Sequence, residues 1–213
     1  MNQNTYNFLQ LAYQNNVLSF GDFTLKSGRK SPYFFNAGKF SNSSSLAMLG
    51  QCYAQALKES NVSFDGLFGP AYKGIPLATT TAVAWHNMAQ PALNVTFDRK
   101  EVKAHGEGGQ LIGSDLKGDI ILLDDVISAG TAARHSIELI KNSGANTCAF
   151  LIGLDRQEKG KSELSAATEL AKEFELQVIS IAKLDDLLDF VKQDDALTHY
   201  SDKICAYRDK YGA

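Results

Sequence analysis

Apolar residues recur along this chain in two alternating rhythms. Tyr6, Leu9, Tyr13 and Val17 fall at helical spacing and predict an amphipathic helix over residues 4–16. The aromatic, Gly- and Ser-containing stretch FGDFTLKSGRKSPYFFNAGKF then predicts short strands joined by turns. Leu46, Leu49, Tyr53 and Leu57 mark a second helix. From there strands and helices alternate. The predicted strands are 64–69, 92–97, 120–123, 148–154 and 178–182; helices are predicted at 74–86, about 131–142, about 163–174 and from Leu184 onward. Strands that are apolar throughout, alternating with helices, indicate an α/β fold with a central, mostly parallel sheet covered by helices on both faces. No repeat, low-complexity segment or linker divides the chain, so residues 1–213 are read as a single domain.

One segment breaks the rhythm. DRKEVKAHGEGGQLIGSDLKGD, between Phe97 and Ile120, is a long connection for a compact α/β domain. Its first half carries Arg99, Lys100, Lys103 and His105, and its second half is rich in glycine. That combination predicts a mobile lid over residues 98–118 that closes on something anionic.

Composition narrows the classes. The chain has 213 residues, 44% of them hydrophobic, and a net charge of −3, without the basic excess of a general nucleic-acid binder. Three cysteines, Cys52, Cys148 and Cys205, are too few and too scattered for a disulfide framework and sit at no metal-ligand spacing. The first 20 residues carry no basic residue, as a secretory signal would, and no apolar run approaches a membrane span. A cytoplasmic protein is expected.

Two familiar phosphate motifs fail. The P-loop spacing from Gly108 to Gly113 meets Ser114 where Lys is required, and the dinucleotide pattern from Gly106 breaks at Leu111. IILLDDVISAGTAAR (120–134) is better placed, because ligands of parallel sheets sit beyond the carboxyl ends of the strands. Small residues at a helix start present backbone N–H groups to an anion. Adjacent carboxylates accept hydrogen bonds from hydroxyls and hold Mg2+ through water. Both properties on one loop suit a sugar phosphate. An aspartate that merely caps a turn is the plainer alternative.

LLDDVISAGTA resembles the ribose-phosphate signature of type I phosphoribosyltransferases. With FTLKSGRKSPYFFNAG (23–38), FGPAYKGIPLATTTAVA (68–84), RKEVKAHGEGG (99–109) and LDRQEKG (154–160), nearly the whole chain resembles the orotate phosphoribosyltransferase family. The resemblance implies the type I fold, with a small hood of helix and short strands (residues 1–40) over the active site. It implies transfer of a phosphoribosyl group from 5-phosphoribosyl 1-diphosphate to orotate, giving orotidine 5′-phosphate and pyrophosphate in pyrimidine synthesis. Mg2+ would be held mainly by the diphosphate and ribose hydroxyls. A homodimer is implied in which each lid serves the partner's site.

Residue by residue, the resemblance assigns Asp124 and Asp125 to the ribose hydroxyls. Val126 and Ile127 are assigned to substrate binding, and Ser128, Ala129, Gly130, Thr131 and Ala132 to the cradle of the 5′-phosphate, with Ser128 where the family commonly has Thr. Tyr72, Lys73 and Lys26 would contact the phosphoribosyl diphosphate, and the Ala71–Tyr72 bond is marked for unusual geometry. Arg99, Lys100, Lys103 and His105 would surround the departing pyrophosphate, Lys103 and His105 being the candidate proton donors. Phe34 and Phe35 would read the orotate ring, partly through backbone. Arg156 would bind its carboxylate, a planar fork suiting that group better than a lysine does. Competing readings of Arg156 and the two phenylalanines are an ion pair with Glu158 and ordinary core packing. His86, His135 and His199 are read as surface or packing residues, and Tyr207 and Tyr211 as core or interface residues. Other functions in contention are transfer to another nucleobase, disfavoured by Arg156 and the 23–38 block, and a non-catalytic regulator, disfavoured by the Lys/His lid.

Overall fold

Asn2 starts the first helix: its side chain accepts the Thr5 N–H at 2.8 Å, pairing one of the donors that a helix start leaves free. The computed structural model describes residues 1–25, 27–103, 109–127 and 130–213, with residues 102, 103 and 109 described by backbone alone. Helix α1 (Gln3–Gln14) buries Phe8, Leu9, Leu11 and Ala12, while Tyr13 stays exposed on Phe20 and Phe190. Strands β1 (Leu18–Thr24) and β2 (Lys30–Phe35) pair antiparallel, Leu18 opposite Phe35 and Thr24 opposite Lys30. Helix α2 (Ser43–Ser60) follows, capped by Asn42.

The remaining chain builds the main sheet. It runs β3 (Gly66–Gly69), α3 (Gly74–Asn87), β4 (Asn94–Lys103), β5 (Gly109–Gly113), β6 (Asp119–Val126), α4 (Thr131–Asn142), β7 (Asn146–Asp155), α5 (Ala166–Phe174), β8 (Gln177–Lys183), α6 (Leu184–Lys192) and α7 (Ser201–Tyr211). The strand order is β5-β4-β3-β6-β7-β8, parallel except for β5. Among the described residues no helix is long and apolar enough to cross a membrane.

Strand β6 shows why its sequence reads as an unbroken apolar run. Ile121 and Leu123 enter a core with α1, α2, α3, α6 and α7, while Ile120 and Leu122 enter a second core with α4 and α5. Alternate side chains face opposite sides of a strand, so a sheet covered on both faces needs apolar residues at every position. Each such side chain contributes roughly 1.5–3 kcal/mol through burial.

The segment expected as one long loop is partly sheet. β4 continues through Lys103, and β5 returns beside it, with Phe97 opposite Ile112 and Asp98 opposite Leu111. Leu111 packs on the second core, which gives the short strand its anchor. Five residues flanked by glycines offer too little periodicity to be read as a strand in advance.

Strand order places the functional crevice. From β3 the chain moves to β4 on one side, then returns to lay β6 on the other. The segments leaving the carboxyl ends of β3 and β6 therefore diverge, leaving a crevice where ligands of open α/β sheets bind.

Candidate active site

The β3–α3 turn forms one wall of that crevice. A Cβ on Gly69 would lie 2.2 Å from the Gly74 carbonyl oxygen, so only glycine lets the helix start this close to the strand. The Ala71–Tyr72 peptide is cis, at the bond marked from the sequence. The Ala71 N–H donates to the buried carboxylate of Asp98 at the end of the apolar part of β4. Tyr72 is exposed, with the Lys100 ammonium 4.8 Å from its ring centre. Lys73 reaches across the crevice, its Nζ 2.7 Å from Asp125 Oδ2.

The end of β6 forms the other wall. Tyr53, buried beneath it, donates its hydroxyl to the Asp124 carbonyl at 2.9 Å, and the Asp125 N–H donates to Asp124 Oδ1 at 2.8 Å. Burial, and then the charge of Asp125, push the Asp124 carboxyl up to about 7. Val126 and Ile127 turn their side chains toward the two cores, so only their backbone is left for a ligand. Gly130 sits at φ 72°, a left-handed conformation that favours glycine, and leads into α4 with Thr131 and Ala132 exposed in its first turn. Among the described residues no side chain caps this helix start.

A third group lies one strand further on. Arg156 follows β7 and is buried, with its guanidinium 4.6 Å from the Tyr33 ring centre. Its Nε donates to Glu158 Oε1 at 2.6 Å and its Nη2 to the Tyr207 hydroxyl at 3.1 Å. From the β1–β2 hairpin, Phe34 is exposed and stacks on Phe23 at 5.6 Å, whereas Phe35 is buried against Phe8. Arg99 carries a buried Nη1 with no hydrogen-bond partner among the described residues.

A scan against protein-family models finds no match. Curated proteins and solved structures do match. The orotate phosphoribosyltransferase of Pseudoalteromonas translucida is 54% identical over 205 residues, 96% of each chain. That of Actinobacillus pleuropneumoniae serotype 5b is 53% identical over 212 residues, 100% of each. The crystal structure of the Francisella tularensis orotate phosphoribosyltransferase superposes with a TM-score of 0.85 at 40% identity, covering 97% of this chain and 99% of the other.

The chain belongs to the orotate phosphoribosyltransferase family.

Against the positions that the family resemblance marked, the structure brings Tyr72, Lys73, Asp124 and Asp125 together at the β3–β6 crevice, with Gly130, Thr131 and Ala132 at the following helix start. Arg99 and Lys100 stand on β4 beside that turn. Lys26, His105, Ser128 and Ala129, and the side chain of Lys103, lie outside the described residues. The ion pair weighed for Arg156 is present, and Phe35 is core. His86, His135 and His199 are exposed, and Tyr207 is buried. Asp98 was missed, although its sequence signal matches that of Asp124: a carboxylate directly after an apolar strand run. Arg29 and Tyr207, which complete the surroundings of Arg156, carried no sequence signal, since they lie 127 and 51 residues from it.

Proposed function

We propose that this protein transfers the phosphoribosyl group of 5-phosphoribosyl 1-diphosphate to orotate, giving orotidine 5′-phosphate and pyrophosphate. The observation that carries this reading is the crevice joined by Lys73 and Asp125, with Arg156 one strand away. Asp124 and Asp125 receive the ribose hydroxyls, and residues 128–132 receive the 5′-phosphate on backbone N–H groups. Tyr72, Lys73 and Lys26 hold the diphosphate. Arg99, Lys100, Lys103 and His105 stabilise it as it leaves. Phe34 and the Phe35 backbone face the base, and Arg156 takes its carboxylate.

The C1–O bond to pyrophosphate breaks as positive charge grows on the ribose. The two aspartates stabilise that charge, and the base ring nitrogen attacks as an anion. Residues 98–118 act as a lid that excludes water, and residues 1–40 as a hood.

Among the described residues no three His, Cys, Asp or Glu side chains are arranged to hold a metal. Carboxylate oxygens are nonetheless the donor type that Mg2+ prefers, and Asp124 and Asp125 offer them beside the crevice. The residues fit an ion held largely by the substrate's own oxygens, where it would neutralise diphosphate charge. The three cysteines are free, in keeping with a cytoplasmic protein.

A homodimer is supported by an apolar groove of about 580 Å³ along α2 and α3. Leu46, Met48, Val83 and Met88 line it, with Val83 57% exposed. A second copy of this chain is the proposed occupant.

Loss of orotate ultraviolet absorbance with phosphoribosyl diphosphate and Mg2+ tests the reading, with uracil and hypoxanthine in parallel. Loss with orotate alone is expected. Turnover of another base instead would overturn the roles of Phe34, Phe35 and Arg156. No turnover of any base, with phosphoribosyl diphosphate still bound, would make the protein a sensor rather than an enzyme.

A further inference from the structure

Arg156 is one member of a charged cluster whose centre is Glu158. Glu158 Oε1 accepts from Arg156 Nε at 2.6 Å and from the Tyr207 hydroxyl at 2.5 Å. Its other oxygen, Oε2, accepts from Arg29 Nη1 at 2.6 Å. Arg29 comes from the turn between β1 and β2, far away in sequence. Its Nη2 also donates to the Lys159 carbonyl at 3.2 Å, and its guanidinium lies 5.3 Å from the Tyr211 ring centre. Among the described residues, Arg156 Nη1 has no hydrogen-bond partner.

Charge decides what this cluster can receive. Arg156 paired with Glu158 alone would be electrically neutral and a poor receptor for a carboxylate. A second guanidinium on the same carboxylate leaves one net positive charge, since the neighbouring Asp155 is offset by the charge of Lys183. Burial of Glu158 opposes ionisation, but the Arg156 charge and the bonds from Tyr207, Arg156 and Arg29 outweigh it and hold its carboxyl below its ordinary range. Both guanidiniums are therefore matched against a full negative charge, and the surplus remains positive.

We propose that Arg29 is a specificity-determining residue for the base: acting through Glu158, it keeps the Arg156 cluster net positive, so that the free Nη1 of Arg156 receives a base bearing a carboxylate. The proposal rests on the orotate reading above and adds a residue to it. Arg29 positions and charges the cluster without touching the reacting atoms. It also ties the hood hairpin to the loop after β7, so base recognition and hood placement share one carboxylate.

The test is Arg29→Met and Arg29→Lys, assayed with orotate and with its uncharged carboxamide as a competing ligand. The Arg29 side chain is 28% exposed, so its replacement leaves the core intact. Arg29→Met is expected to raise the KM for orotate about tenfold, the effect of one partly screened unit charge. The kcat at saturating orotate and the KM for phosphoribosyl diphosphate should stay within about twofold. The inhibition constant of the carboxamide should barely move, and Arg29→Lys should restore most of the orotate affinity. An unchanged orotate KM, or equal weakening of acid and amide, would overturn the proposal while leaving the orotate reading in place. A wild-type protein that consumes no orotate would remove both, and that result is seen before any variant is made.

Discussion

The ammonium of Lys73 lies 2.7 Å from Asp125 Oδ2, so an ion pair spans the crevice between the ends of β3 and β6. Asp125 is buried and Lys73 is half exposed. The lysine thus shields a carboxylate that water cannot reach, and in the proposed mechanism it turns to the diphosphate when substrate enters. Lys73→Ala is expected to raise the KM for phosphoribosyl diphosphate at least tenfold. It should also cost about 1 kcal/mol of stability, the pair being worth less than a fully buried one because water screens the lysine. Steady-state kinetics and urea unfolding check the two effects separately. A stability loss with unchanged KM would make the pair purely structural.

Asp124 gives a pH signature. Its carboxyl is pushed up to about 7 by burial and by the neighbouring charge of Asp125. Between about pH 4 and pH 7 the folded protein keeps a proton that the unfolded chain has released, so stability falls as pH rises through that window. Asp124→Asn removes this penalty. The variant should be more stable than wild type by about 1–3 kcal/mol at pH 8 and no more stable near pH 4. Urea midpoints at the two pH values measure it, and turnover should fall as stability rises. An equal gain at both pH values would show that ionisation is not the cause.

The proposed second copy on α2 and α3 predicts a mass change. Placing a charge in that face, as in Val83→Glu, buries an unpaired carboxylate in the interface. Light scattering on a sizing column should then report a species of half the wild-type mass at micromolar concentration. Wild-type protein that runs as a monomer under the same conditions would remove the proposal.

Subunit exchange tests whether each lid serves the partner's site. Lys103→Ala and Arg156→Ala should each lose roughly 10²-fold or more in kcat/KM. Mixed, they should recover activity, because one site of each heterodimer carries neither lesion. No recovery after verified exchange would mean that the lid closes on its own subunit.

Periodicity alone determined the α/β class, the helices and the central strands of this protein. It could do so because a strand buried on both faces must be apolar at every position, as Ile120 to Leu123 are. The pairing of Asp124 with Asp125 after that run was equally legible, since a carboxylate ending a buried strand is conspicuous in any sequence. Other features were decided only by tertiary structure. Leu111 and Ile112 became a strand because β4 and the second core were there to receive them. Asp98 gained its place under the Ala71 N–H through the neighbouring position of β3 and β4. Arg29 and Tyr207 join the Arg156–Glu158 pair because the hairpin and α7 fold over the end of β7. Local pattern records which face of an element is buried, but a charged cluster drawn from positions 29, 156, 158 and 207 exists only once the chain has closed on itself, and no short window of sequence contains it.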